Sequence, residues 1–317
     1  MRRMRPSRER GVTAVVVALV IVVLCGFAAV AVDMGALWWD RKELQNGADA
    51  GAIAIAQACA KGACGNTATD ADTFAKRNKL DGNATGVVTS LTSNSVTVAA
   101  SSTRQLWFAN VLGISSAPVS ASATATWAVV SGGSTLPFAI SACQFFWQTN
   151  STSGSPPSTT TEYKIISKKA ADFPAAGATG SFDCGSWGAH NEVAGGFGWL
   201  DANAQCVSVT SAGNWVSSNP GNNEPGCLQL VQNQSYLIPL FDATTGSGNN
   251  GTYHLTGYAE FKVTGWCLSG SAVNSDGKCT GNNRHIRGYF VAFVSLQDAQ
   301  TGGATTNYGV RSVDLAG

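Results

Sequence analysis

Nine cysteines and three histidines are the residues of this 317-residue chain with the most chemistry to offer. Cys25 sits in an apolar run. The other eight, Cys59, Cys64, Cys143, Cys184, Cys206, Cys227, Cys267 and Cys279, are scattered with no C-x-x-C spacing of the metal type. An even set of this kind forms disulfides in an oxidising compartment, although eight cysteines allow roughly a hundred connectivities. Cys59 and Cys64 flank Gly62 at the end of a helical pattern, where a short bridge would fasten the turn. Cys267 ends the strand-like "TYHLTGYAEFKVTGWC", and Cys279 shortly precedes another such run from Arg284, with the turn-forming "SGSAVNSDGK" between them. A hairpin of those two runs would bring the Cα atoms within the ~4.4–6.8 Å that a disulfide needs.

Catalytic patterns are weaker. His190, His254 and His285 are not spaced as a metal pair; His254 falls in a strand pattern and His285 beside Arg284 and Arg287, so loop or sheet-surface positions are expected. "DCGSWG", Asp183 to Gly188, resembles the run around a papain-like nucleophile, but Trp187 stands where the second cysteine would be. "AVNSDGKC" supplies Asn274 and Asp276 of a calcium-loop pattern without its first acidic ligand or closing glutamate. The chain reads as a non-enzyme with no catalytic residues, no metal ligands and no cofactor.

Charge narrows the partners. The chain carries +1 overall, and its first ten residues hold Arg2, Arg3, Arg5, Arg8 and Arg10 against Glu9. Removing that +4 from 20 bases and 19 acids leaves 15 against 18, a net −3, which argues against nucleic-acid binding.

The elements that must position these residues begin with "VTAVVVALVIVVLCGFAAVAV", Val12 to Val32, 21 residues without a charge. At about 1.5 Å per residue this run spans the roughly 30 Å hydrocarbon layer. Arginine retention places residues 1–11 in the cytoplasm, 12–32 in the membrane and everything after Asp33 outside, with Trp38 and Trp39 near the headgroups. Ala29-Val30-Ala31 also fits a signal-peptidase site, so a cleaved secretory signal is the competing reading. The run exceeds the ~7–15 residues of a signal core and the helical pattern continues past the cut, which favours a retained anchor. Both readings export the rest.

Residues 33–62 then read as a helix of small residues, without proline. Leu37, Leu44, Ala48, Gly51, Ile55 and Ala58 recur at steps of three, four and seven, giving one narrow apolar seam. Gly47 and Gly51, four apart, share a face on which another backbone can approach closely. The seam could pack on this chain's own downstream strands or on another subunit.

"ERG" before the apolar run, "GFAAVAVDMGALWWDRKELQNGADAGAIA" across its end and the small-residue helix after it resemble the TadE/TadG-like pilus-assembly proteins of the tight-adherence (Flp pilus) system. The shared pattern is a membrane helix ending in A-V-D-x-G, a charged patch, then L-Q-N-x-A-D-A-x-A. The resemblance is strongest to the actinobacterial branch, in which a cysteine-containing exported domain follows; "GYAEFKVTGWC…IRGYFVAFVSL" is also similar to that branch. Pilins cut by a prepilin peptidase carry Glu at the fifth mature position, where Val16 stands here, so that processing is not carried over. The D-x-S-x-S motif of a von Willebrand factor A domain is absent from the sequence.

Residues 63–130 suggest a small α+β unit: a short helix near Asp70–Lys79, the alternating "SVTVAASS", an amphipathic "QLWFANVLGI" and "VSASATATWAVV". "SGGST", Ser131 to Thr135, reads as a flexible joint, and "TNSTSGSPPSTTT", Thr149 to Thr161, as a loop. Residues 136–317 read as a β-rich exported domain, either a β sandwich or a two-layer α+β fold, whose last two long runs pair antiparallel with both faces covered. The expected class is therefore α+β: a long N-terminal transmembrane helix, a small α+β unit, then a disulfide-bonded β-rich domain. The resemblance implies a single-pass envelope protein that supports assembly of a Flp-type pilus. Its partners would be other Tad/Flp components, membrane lipid and a possible second copy of the chain, with no nucleic acid. The alternative is a surface adhesin or binding module with aromatic residues around "GGFGWLD" at its ligand site.

Overall fold

A computed structural model describes residues 9–149, 158, 160–166, 198–219, 225–246, 250–269, 271–275, 277–280, 283–291, 299–301 and 306–316. The first element, α1 (Glu9–Ala60), is a single helix of 52 residues, about 78 Å long at the usual rise. Beyond Ala60, Gly62 takes the left-handed φ of +93° and its N–H bonds the Cys59 carbonyl at 2.9 Å, which turns the chain out of the helix. Two compact units follow from the packing: Met1–Ala56, Gly65–Ala125 and Leu315–Gly317 form one, Gln57–Cys64 and Thr126–Asp314 the other.

In the first unit, α2 (Thr67–Asn78) is capped by the Asn66 side chain, which accepts from the Thr69 N–H at 3.2 Å. β1 (Thr85–Leu91) and β2 (Ser95–Gln105) pair antiparallel, and β2 lies beside β3 (Ser116–Thr135). Val96, Val98 and Ala100 of β2, and Val119, Ala121, Ala123 and Ala125 of β3, are buried at alternate positions, the period that one covered sheet face requires. α2 presses onto β1 so closely that a Cβ on Gly86 would overlap the Ala71 carbonyl.

The second unit contains β4 (Ile140–Ser141), α3 (Ala142–Thr149), β5 (Tyr163–Ile166), β6 (Ser208–Ser211), β7 (Trp215–Ser217), β8 (Ser235–Thr245), β9 (Thr252–Cys267), β10 (Ala272–Val273), β11 (His285–Val291), β12 (Ala299–Thr301), β13 (Thr306–Asn307) and the start of β14 (Arg311–Ala316), whose last two residues fall in the first unit. The main sheet runs β4-β8-β9-β11-β5, with β7, β10 and β13 also paired to β9. The two long runs do pair antiparallel, Cys267 opposite His285. On one face of this sheet α3 brings Phe145 edge-on to Phe290 and Tyr308, at 4.9 and 5.3 Å between ring centres. On the other, Val130 of β3 packs with Leu237, Tyr258 and Val310. Gly257–Phe261 is accordingly buried without interruption, so the unit combines helix-on-sheet and sheet-on-sheet packing instead of choosing between them.

Three expectations need correction. Ser131–Thr135 is not a joint: it is the end of β3, paired with β6 and β12, because its small residues suit the close approach of neighbouring backbones. β11 is fully buried along one face, at Ile286, Gly288 and Phe290, and only at His285 on the other, where Arg287, Tyr289 and Val291 are half-buried; residues 292–294 lie outside the described residues. His285 is not at the surface but 1% exposed, its Nδ1 2.7 Å from the Asn283 carbonyl oxygen, since its strand is interior.

Candidate functional site

The helical seam faces the first unit along α1. Leu44, Gly47, Ala48, Gly51 and Ile55 all point into the first unit and are buried. A Cβ on Gly47 would lie 3.0 Å from the Ala75 Cα of α2, and one on Gly51 3.5 Å from Val98 Cγ1 of β2 and 3.6 Å from Phe74 Cβ. Glycine at position 47 lets α1 lie against α2 at backbone distance, a contact that a side chain there would hold open, whereas position 51 leaves room for a methyl and little more. Gln45 adds a polar tie, donating from Nε2 to the Ser122 carbonyl of β3 at 3.2 Å. Of the two neighbours open to the seam, its own chain occupies this face.

Two acids extend the same face toward the apolar run. Asp40 is 1% exposed, and its Oδ1 lies 3.1 Å from Lys79 Nζ and 3.4 Å from Arg104 Nη1. Lys79, itself buried, also reaches Glu43 Oε2 at 3.6 Å and Asp81 Oδ2 at 3.4 Å. Burial pulls the ammonium pKa down, but the hydrogen bond and charge of Asp40, then those of Asp81, outweigh it and leave Lys79 above its ordinary 10.5. Lys79 therefore keeps its charge, and the cluster ties α1, the turn after α2 and β2 together.

Asp33, one residue beyond the apolar run, accepts three backbone N–H bonds, from Trp107 at 3.0 Å, Phe108 at 3.1 Å and Ala109 at 2.7 Å. These residues open a 3₁₀ turn, Ala109–Leu112, so the carboxylate satisfies donors that the turn leaves unpaired. The Ala109 bond, against the opposing pull of desolvation and with Trp107 and Phe108 behind it, holds the Asp33 carboxyl below its ordinary 3.8. Neither Asp33 nor Asp40 is among the residues that the sequence singled out as a site. The signal was present in their spacing, since Asp33, Leu37, Asp40, Leu44, Ala48, Gly51 and Ile55 follow the same steps of three and four.

Among the described residues three cysteine pairs are bridged: Cys59–Cys64, Cys206–Cys227 and Cys267–Cys279, the last with Cα atoms 5.0 Å apart. Cys143 is also disulfide-bonded, and Cys184 lies outside the described residues. His254 Nδ1 is 2.6 Å from Asp242 Oδ1 on the neighbouring strand, and His190 lies outside the described residues. No group of three histidine, cysteine, aspartate or glutamate residues is placed to hold a metal among the described residues. Trp199 and Leu200 of the aromatic segment are 2% and 1% exposed, with Trp199 tilted against Phe138, so these two belong to the core; Gly195, Gly196 and Phe197 lie outside the described residues.

The apolar run itself has the opposite character. From Val12 to Val32 its large side chains are exposed, and α1 is long and apolar enough there to cross a membrane. No curated protein and no solved structure matches the chain. Residues 11–58, which are the apolar run and the buried seam together, match the family model of Flp pilus-assembly TadE/G-like proteins.

Proposed function

We propose that this chain is a membrane-anchored structural component of a Flp-type (Tad) pilus-assembly system, of the actinobacterial kind without a von Willebrand factor A domain. The observation that carries the reading is that the family match covers both halves of one continuous helix, the exposed apolar half and the half that holds a folded unit. The basic tail stays in the cytoplasm, the helix crosses once, and everything beyond Asp33 is exported, where the disulfides form. The seam fixes the first unit directly to the emerging helix. The exposed apolar run is then the surface offered to lipid, to the helices of other Tad components and to a second copy of the chain. Its role is to position and to associate, not to catalyse.

The test is deletion of the gene in a strain that assembles Flp pili, with complementation by the full chain. Loss of pili, restored by the full chain and not by one lacking residues 12–32, is the expected result. Normal pili in the deletion strain would overturn the proposal.

A further inference from the structure

Leu106 to Ile114, "LWFANVLGI", carries no charged side chain, and Asn110 is its one polar side chain. Its apolar groups are turned outward: Trp107 is 75% exposed, Val111 85% and Leu112 80%, with Phe108 and Ile114 also exposed. The segment nonetheless has a fixed shape. The Leu106 N–H bonds the Ser115 carbonyl at 2.9 Å across its base, Ile114 N–H bonds the Ala109 carbonyl at 3.1 Å, and Gly113 takes a φ of +85° to close the turn. A water-facing loop built this way would hold a continuous apolar surface in the solvent that it least favours.

Its position supplies the occupant. Gly51 of α1 faces Val98, Asp40 pairs with Arg104, and Asp33 binds the N–H groups of residues 107–109. β2 therefore runs back along α1 and returns the chain to the helix at the first residue beyond its lipid-facing run. Met34 is exposed on α1 next to Asp33, and Trp38 and Trp39 are exposed between one and two turns further along the helix. We infer that the Trp107–Ile114 loop is a second membrane contact, inserted into the headgroup and upper acyl region of the bilayer beside the point where α1 emerges. Indole and short aliphatic side chains are what that layer accepts. Three bonds to Asp33 set the depth of the loop, so α1 and the loop meet the bilayer as two points and fix the rotation of the first unit about the helix axis.

This inference rests on the membrane-anchored reading of α1, and the experiment separates the two. The full chain is reconstituted in phospholipid vesicles with a photo-crosslinking benzoylphenylalanine placed, one at a time, at Leu112, at Val111, at Leu19 within the apolar run, and at Asn94 in the β1–β2 turn at the far end of β2. Lipid adducts at Leu19, Val111 and Leu112 and none at Asn94 are expected. Adducts at Leu19 with none at either loop position would overturn the loop contact and leave the anchor standing. Adducts to protein in place of lipid at the loop positions would assign the surface to a partner or second copy and would equally overturn it. No lipid adduct at Leu19 would remove the anchor and the inference with it.

Discussion

At the scale of single residues, the buried charges of the first unit decide more than their number suggests. Asp40 and Lys79 face each other with side chains 2% and 3% exposed, and breaking such a pair leaves one charge without a counterpart in a medium that solvates it poorly. Lys79→Ala is expected to destabilise the first unit by about 3–5 kcal/mol, read from thermal unfolding of the full chain in detergent. Arg104, a third exposed, gives Asp40 only a screened second partner, and Arg104→Ala should cost at most about 1 kcal/mol. The pH dependence follows from the direction of the Lys79 shift. Because the folded pKa lies above 10.5, the cluster's contribution is fully present below that value and is lost only as pH rises through the higher folded pKa. Unfolding curves that weaken between pH 8 and 10 through this group would contradict the assignment. These acids were hard to see in the sequence because Asp and Glu are ordinarily solvated. Their heptad spacing was legible, but their partners, 39 and 64 residues away in Lys79 and Arg104, were not.

At the scale of elements, the seam shows how a helix nearly devoid of large side chains can be held. Leu44 and Ile55 are its two bulky anchors, and between them contact is made at backbone distance through Gly47, Ala48, Gly51 and Ala52. Each alanine buries little area, so shape match substitutes for size. The two glycines should respond differently to substitution. Gly51→Ala places its methyl at ordinary contact distance and removes a flexible residue from a helix, so a gain of about 0.4–1 kcal/mol is expected. Gly47→Ala meets the Ala75 backbone at 3.0 Å, and the seam must open; unfolding at lower temperature than the parent is expected. Gly51→Leu overfills the site and should cost about 1–3 kcal/mol in the folding of this unit. The helical period, the strands β2, β3, β9 and β11 and the antiparallel pairing of β9 with β11 were readable from hydrophobic pattern. That α2 would be the seam's neighbour was not, because periodicity names a buried face without naming what buries it.

At the scale of the whole molecule, the three described bridges close short loops, with partners 5, 21 and 12 residues apart. They pin turns and hairpin ends instead of joining distant parts. Replacing both Cys267 and Cys279 by serine should cost roughly 3 kcal/mol on the chain-entropy argument for a loop of this length. The expected readout is faster hydrogen exchange in β9 and β11, which flank the lost bridge, and unchanged exchange there would count against a stabilising role. The tie between Asp33 and residues 107–109 has the opposite span, more than seventy residues. On the proposed topology that span imposes an order on biogenesis. The helix is threaded into the bilayer long before the segment that completes its outer end has been synthesised and translocated. During that interval Asp33 and Asp40 lack the ties that the folded unit gives them, and Gly47 and Gly51 lie uncovered. The nascent helix thus presents a transient face to chaperones or neighbouring subunits, one that closes once β2 has come home.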